Sequence, residues 1–113
     1  MSTKKVIYDT LRKELPHIPL AYRYSNLNEL PRMSFAAISN VTLKLSNKRH
    51  MQRVWYQIDY FSRVPLDLET NSDLNKIIEV LENENLTLTT WQEEEDINVE
   101  TDSALFTYWI EVR

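Results

Sequence analysis

The chain has 113 residues and contains no glycine, an absence that limits both its turns and its chemistry. Phosphate-binding loops and dinucleotide-binding turns need glycine where the backbone approaches a phosphate or adopts positive φ. The sequence therefore excludes both kinds of site. Positive φ must fall instead to asparagine or aspartate, which tolerate the left-handed conformation best after glycine. The candidate turn residues, each between apolar segments, are Asn40, Asn47, Asn85 and Asn98.

Composition predicts one domain, residues 1–113, synthesised in the cytoplasm. The chain has no cysteine, which excludes disulfides, thiolate metal sites and cysteine nucleophiles and fits a reducing compartment. No apolar run approaches the roughly 18 residues that a membrane-spanning helix needs. Residues 1–15 have the pattern of a polar amphipathic helix rather than of a signal peptide. We therefore expect no membrane partner.

The first segment with a helical period lies at the beginning of the chain. A helix is predicted at Lys4–Leu15 with Thr3 as its N-cap, because apolar residues recur there every four positions. Pro16 ends the pattern, since the residue before a proline disfavours the α-conformation.

A second helix is predicted around residues 74–81, where apolar residues fall at positions i, i+3, i+4 and i+7. Thr70 and Asp73 match a capping box before this pattern. Asn85 is placed to end the helix, because asparagine tolerates the left-handed conformation common there.

Alternating apolar residues predict six strands. They are Leu20–Tyr24, Met33–Ile38, Val41–Leu45, Gln52–Arg63, Leu86–Trp91 and Ala104–Val112. Ser39–Asn40 is predicted to form a tight turn, and the acidic segment Gln92–Ser103 to be the loop of the last hairpin. Strands 52–63 and 86–91 flank the second helix as in a crossover unit. The predicted fold is α+β, a mixed and mostly antiparallel β-sheet with two α-helices packed on one face.

The longest predicted strand, residues 52–63, has two different faces. Tyr56, Ile58 and Tyr60 alternate on an apolar face, whereas the opposite face mixes aromatic and polar residues such as Trp55 and Asp59. Such a mixed face predicts partial covering by a helix, a loop or a neighbouring subunit.

Charge is divided unevenly along the chain. Residues 1–63 carry a net charge of +7 and residues 64–113 a net charge of -11. Such an asymmetry is compatible with a polyelectrolyte partner, with head-to-tail docking of copies, or with solvated surfaces that bind nothing. For head-to-tail docking, the basic 44–53 segment of one copy would meet the acidic 93–102 segment of the next. The candidate interface residues are Lys44, Lys48, Arg49, Arg53, Glu93, Glu94, Glu95, Asp96, Glu100 and Asp102.

The sequence shows no pattern of a catalytic, cofactor-binding or metal site. His17 and His50 each lack the helically spaced carboxylate or histidine of a metal site. The segment beginning at Asp96 starts like a calcium loop, but Thr101 replaces the required glycine and Thr107 the bidentate glutamate. We therefore expect no cofactor and no enzyme activity. Binding of nucleic acid by the basic segment remains a weaker alternative, since the whole chain is acidic.

The order of these elements resembles the tail-terminator (tail-completion) proteins of long-tailed bacteriophages and prophages, similar to the phage lambda U protein. The resemblance covers the N-terminal helix, an early strand after Pro31, a basic hairpin, the strand ending Tyr56–Ser62, a helix and a last strand containing Leu105–Trp109. The chain departs from the family pattern at Asn85, where a glycine is often found.

The resemblance implies a virion protein of the tail or neck, assembled in the host cytoplasm, that acts by binding. Such a protein forms a ring, a hexamer, on the head-proximal end of the tail tube. The ring stops polymerisation of the tail tube protein and gives the head–tail connector protein a docking surface. A head-closure or adaptor protein of the phage neck is the nearest alternative, and a small nucleic-acid-binding α+β module is the third.

Overall fold

The computed structural model describes residues 2–23, 30–44, 50–98 and 103–113. Within these ranges it describes every side chain except those of residues 39–44, 50–53, 97–98 and 103. Its helices and strands follow one another in the order α1, β1, β2, β3, α2, β4, β5. Their bounds are α1 Thr3–Glu14, β1 Leu20–Tyr22, β2 Arg32–Lys44, β3 His50–Ser62, α2 Ser72–Glu82, β4 Gln92–Asn98 and β5 Ser103–Val112. In the described part of the chain, neither helix is long and apolar enough to cross a membrane.

The five strands form one mixed sheet in the order β1-β2-β3-β5-β4. Strand β1 runs parallel to β2, and the other neighbouring pairs are antiparallel. Because β5 is antiparallel to both of its neighbours, β3 and β4 run in the same direction with β5 between them. Helix α2 therefore lies in a crossover from β3 to β4, and this crossover spans one inserted strand. The predicted fold class is confirmed.

Helix α1 begins one residue earlier than predicted. The Ser2 side chain, not that of Thr3, caps it by accepting a hydrogen bond of 3.2 Å from the backbone N–H of Lys5. The helix ends at Glu14, and the backbone N–H of Leu15 closes the last turn on the carbonyl of Leu11. Serine is the better N-cap of the two neighbours, which explains the shift.

Helix α2 occupies the predicted region but uses a different cap. The Asn71 side chain accepts a hydrogen bond of 3.1 Å from the backbone N–H of Leu74, in place of the capping box of Thr70 and Asp73. Asn85 has φ 64°, which confirms the predicted positive φ, but the helix ends earlier, at Glu82 with Asn83 as its C-cap. Arg23 also has positive φ, 70°, and no sequence signal marked it.

One hydrophobic core joins both helices to one face of the sheet, which we call the covered face. Ile7 and Leu11 of α1 and Leu74 and Ile77 of α2 are fully buried there. The sheet contributes the alternating residues that the register places side by side. They are Met33, Phe35, Tyr56, Ile58, Tyr60, Tyr108, Ile110 and Val112.

The predicted hairpin with a turn at Ser39–Asn40 is wrong, because β2 continues through these residues to Lys44. Ala37 pairs with Tyr56 and Ser39 pairs with the preceding residue Trp55, so Ile38 is an extra residue. Such a bulge shifts the phase of the side-chain alternation by one position. The break in the apolar pattern therefore marked a bulge and not a turn.

The predicted strand Leu86–Trp91 and acidic loop 92–103 are also wrong. Residues 86–91 are not assigned to a strand. Leu88 forms an isolated bridge with Val112, supported by backbone hydrogen bonds of Thr87 and Thr89 to the end of the chain, while Leu88 and Trp91 pack on the core. The last hairpin is formed instead by β4 and β5. Strand β4 is an edge strand, and a row of acids is compatible with an edge because it discourages pairing with other strands.

Candidate functional site

Two hairpins of opposite charge extend from opposite ends of the sheet. Strands β2 and β3 pair as far as Lys44 and His50, whereas β5 pairs with β3 only between Tyr56 and Ser62. We call residues 39–53 the basic hairpin. Its described strand residues, 39–44 and 50–53, thus lie past the rest of the sheet, and the segment carries four basic residues and no acid.

The second projection is formed by β4 and the beginning of β5. Residues 103–105 pair only with residues 96–98, beyond the last pair of β5 with β3 at Ser62 and Phe106. Residues 92–105, here called the acidic hairpin, carry six acids and no basic residue. The sequence-level charge division therefore becomes a division between two ends of a molecule whose longest dimension is 59 Å.

The face of the sheet opposite the helices, here called the open face, contributes no residue to the core cluster. It is composed of Arg32, Ser34 and Ala36 on β2, Trp55, Gln57, Asp59 and Phe61 on β3, Leu105, Thr107, Trp109 and Glu111 on β5, and Gln92, Glu94 and Asp96 on β4. Among the described residues no helix packs on this face. Three large aromatic rings and four carboxylates lie there together.

A guanidinium group of the same chain lies over two of the three aromatic rings on the open face. The Arg113 Cζ lies 4.5 Å from the centroid of the Trp55 ring, and the Arg32 Cζ lies 4.5 Å from that of Phe61. These are cation–π distances. The Nε of Arg32 is buried and has no hydrogen-bond partner among the described residues. Among the side chains that the structure describes, no cation lies over the third ring, Trp109.

Trp109 lies beside Asp59 in the register, and Glu94 is on the next strand of the same face. The Nε2 of Gln57 donates a hydrogen bond of 2.9 Å to Oδ1 of Asp59. Burial raises the pKa of Asp59; the hydrogen bond from Gln57 lowers it, and the negative charge of Glu94 raises it further. Within the described side chains, neither Asp59 nor Glu94 forms an ion pair.

On the covered face, by contrast, the polar groups are paired. The Tyr60 hydroxyl donates a hydrogen bond of 2.9 Å to Oδ2 of Asp73, whose Oδ1 lies 3.5 Å from Nε2 of the exposed His17. Burial raises the pKa of Tyr60, and its hydrogen bond to Asp73 adds to the shift. A phenol held in its neutral form is a poor nucleophile, so this group supports a structural role.

Tyr108 joins three parts of the chain at the covered face. Its hydroxyl accepts a hydrogen bond of 2.6 Å from the backbone N–H of Leu66 and donates one of 2.6 Å to Oε2 of Glu93. Burial raises the pKa of the Tyr108 phenol, and the bond to Glu93 raises it further. Glu93 therefore has an intrachain partner.

The ten predicted interface residues are only partly described. Glu93, Glu94, Glu95 and Asp96 lie on β4, where register places Glu94 and Asp96 on the open face and the other two on the opposite face. The side chains of Lys44 and Arg53 and all of Lys48, Arg49, Glu100 and Asp102 lie outside the described residues. The interface itself stays a prediction.

Sequence reasoning did not single out Asp59, Trp109 and Arg32 as a set. The polar and aromatic face of β3 was the available signal, but strand pairing was needed to bring the three strands together. Within the described residues, no group of three or more metal-ligating side chains is present. The arrangement as a whole suits binding of a partner through an aromatic face with charged edges.

No family model matches the chain, and no curated protein matches it.

Proposed function

We propose that this protein is a tail terminator: it forms a ring at the head-proximal end of a phage tail tube, ends polymerisation of the tube protein and gives the head connector its docking surface. Three features support the proposal: the order of the helices and strands, the open face and the two charged hairpins. The order agrees with the resemblance, apart from the acidic strand β4. The open face and the hairpins provide surfaces for binding rather than for a reaction.

The opposite charges of the two hairpins carry the proposal. A closed ring of identical subunits needs two different surfaces on each subunit that fit one another. The basic hairpin and the acidic hairpin lie at opposite ends of the sheet, so one copy presents one surface to each neighbour. A subunit that binds itself through two like surfaces would form a dimer and stop there.

Deletion of the coding sequence from its phage or prophage tests the proposal. Tail tubes should grow past their normal length or remain unjoined to filled heads, because nothing ends polymerisation. Electron microscopy of negatively stained lysates measures tail length directly. Wild-type protein supplied in trans should restore the normal length distribution, which controls for effects of the deletion on neighbouring genes.

The second candidate, a head-closure or adaptor protein, predicts a different defect. Its deletion would leave tails of normal length beside heads that leak DNA. A nucleic-acid-binding module would give neither defect and would bind DNA or RNA with an affinity that falls steeply with salt. Tails of normal length joined normally to heads would contradict both neck functions.

A further inference from the structure

The open face has an aromatic ring placed to receive a cation. On this face Trp55 and Phe61 each hold an arginine of the same chain, Arg113 and Arg32 respectively, at 4.5 Å. Trp109 has no such partner among the described side chains, although Asp59 lies beside it on β3 and Glu94 lies diagonally from it on β4, two residues beyond its direct partner Gln92. A guanidinium or ammonium group over this ring would meet both an aromatic surface and a negative potential.

The charges around Trp109 also favour an incoming cation. Asp59 is partly buried and, among the described residues, accepts one hydrogen bond, from the neutral amide of Gln57. Glu94 is exposed on the same face and acts on Asp59 with a charge of the same sign. A cation placed between them would offset this repulsion in surroundings that screen charge less than bulk water does.

We propose that the open face around Asp59, Glu94 and Trp109 is the docking surface for the basic hairpin of another copy of this chain. This inference rests on the proposed ring. It extends the surface that meets the basic hairpin from Glu94 of the acidic hairpin to Asp59 and Trp109 on the open face. The basic hairpin has the required chemistry, since residues 39–53 contain only positive charges. The two surfaces are complementary in charge and lie on one subunit, as a heterologous contact requires.

The basic hairpin cannot serve the open face of its own chain. Asp59 and His50 are both on β3, nine residues apart, and a strand rises about 3.3 Å per residue. His50, where the described part of β3 begins, is therefore about 30 Å from Asp59 along a continuous strand. The contact must form between copies, with the hairpin of one copy on the open face of the next.

Two single charge reversals test the contact by mixing. Glu94→Lys reverses one charge of the open face and leaves the hairpin intact, whereas Arg49→Glu reverses one charge of the hairpin and leaves the open face intact. Each variant alone should associate about tenfold more weakly or worse than the wild type, because every contact places like charges together. An equimolar mixture should recover association, since one contact is then wild type and the other is reversed on both sides.

Analytical ultracentrifugation over a range of protein concentrations gives the association constants. Glu84→Lys is the matched control, because it makes the same charge change at an exposed residue beyond α2 and away from the open face. It should associate like the wild type, and circular dichroism should give all variants the same fold. Association of the wild type should weaken at about 1 M salt, where the screening length is only about 3 Å.

Three outcomes would overturn the inference. The wild type could stay monomeric at every concentration, each variant could associate as well as the wild type, or the mixture could fail to recover. These results are independent of the tail-length experiment. Overgrown tails after deletion together with unaffected association of Glu94→Lys would leave the terminator function in place and reject this contact. Recovered association in the mixture together with normal tails after deletion would keep the contact and reject the function.

Discussion

The two faces of the sheet use polar groups in opposite ways. On the covered face, Tyr60 bonds to Asp73, and Tyr108 bonds to both Glu93 and the backbone of Leu66. On the open face, among the described residues, the Nε of Arg32 has no hydrogen-bond partner, and the carboxylate of Asp59 accepts one hydrogen bond, from the Gln57 amide.

This difference separates stability from binding. A covered polar group must be paired inside the chain, because an unpaired one costs about 1–3 kcal/mol. Among the described side chains of the open face, Asp59 and Glu94 have no ion-pair partner and the Trp109 ring has no cation over it, so this face lacks stability that a partner could supply. Substitutions on the two faces should therefore differ in their effects.

The largest effect should come from opening a cavity under the covered face. Ile110 is fully buried, so Ile110→Ala should lower the free energy of unfolding by about 2–5 kcal/mol. Thr107→Ala on the same strand but on the open face should change it by less than about 1 kcal/mol. Urea unfolding at low protein concentration measures both. Equal losses in the two variants would show that the open face is packed as tightly as the covered one.

The second effect concerns paired polar groups. Tyr108→Phe removes the hydroxyl that bonds to Glu93 and Leu66, and should cost about 1.5–3 kcal/mol because one partner is charged. Tyr8→Phe is the matched control, since the Tyr8 hydroxyl is on an exposed residue and accepts only a 3.3 Å bond from Arg12. It should change stability by less than about 0.5 kcal/mol. A cost for Tyr108→Phe as small as that of the control would contradict this role.

The same substitution has a pH signature. Burial and the bond to Glu93 raise the pKa of Tyr108, so the folded protein keeps this phenol protonated at pH values where the unfolded chain loses the proton. Stability from this group is therefore present below about pH 10 and lost as pH rises through the folded-state pKa. The free energy of unfolding of Tyr108→Phe should therefore fall less between neutral and alkaline pH than that of the wild type. An unchanged pH profile would contradict the pairing.

How much of this could be read from the sequence depends on whether a pattern is local. Helix α2 and the apolar face of β3 were predicted correctly, because a helical period and a strict alternation record burial directly. Strand β4 was not predicted, because an edge strand with acidic side chains lacks the apolar alternation that identifies strands. Residues 86–91 showed that alternation but make a single bridge.

The candidate site was hidden for a different reason. Asp59, Glu94 and Trp109 are far apart in the sequence and come together only through the order β3-β5-β4. Strand order and register depend on long-range pairing, which a local pattern does not record. The bulge at Ile38 adds to this, because it changes which side chains of β2 share a face with those of β3.

The smallest effect should have the opposite sign. Asp59→Asn keeps the shape of the side chain and the hydrogen bond from Gln57. It removes the negative charge of a carboxyl group whose pKa is raised by burial. A carboxylate with a raised folded-state pKa contributes stability below about pH 4, its unfolded pKa, and loses it as pH rises through the folded-state value. The variant should therefore melt slightly higher than the wild type at pH 7, and the difference should vanish below about pH 4.

Self-association should change in the opposite direction to stability. Asp59→Asn removes a charge that the proposed contact uses, so association should weaken while the melting temperature rises. Gains in stability with losses in binding are typical of groups that a functional surface leaves strained. Asp67→Asn is the matched control, because Asp67 is exposed and lies in the connection between β3 and α2. If Asp59→Asn instead lowered the melting temperature at pH 7, the carboxylate would be stabilising the fold, and the open face would lose its distinction from the covered one.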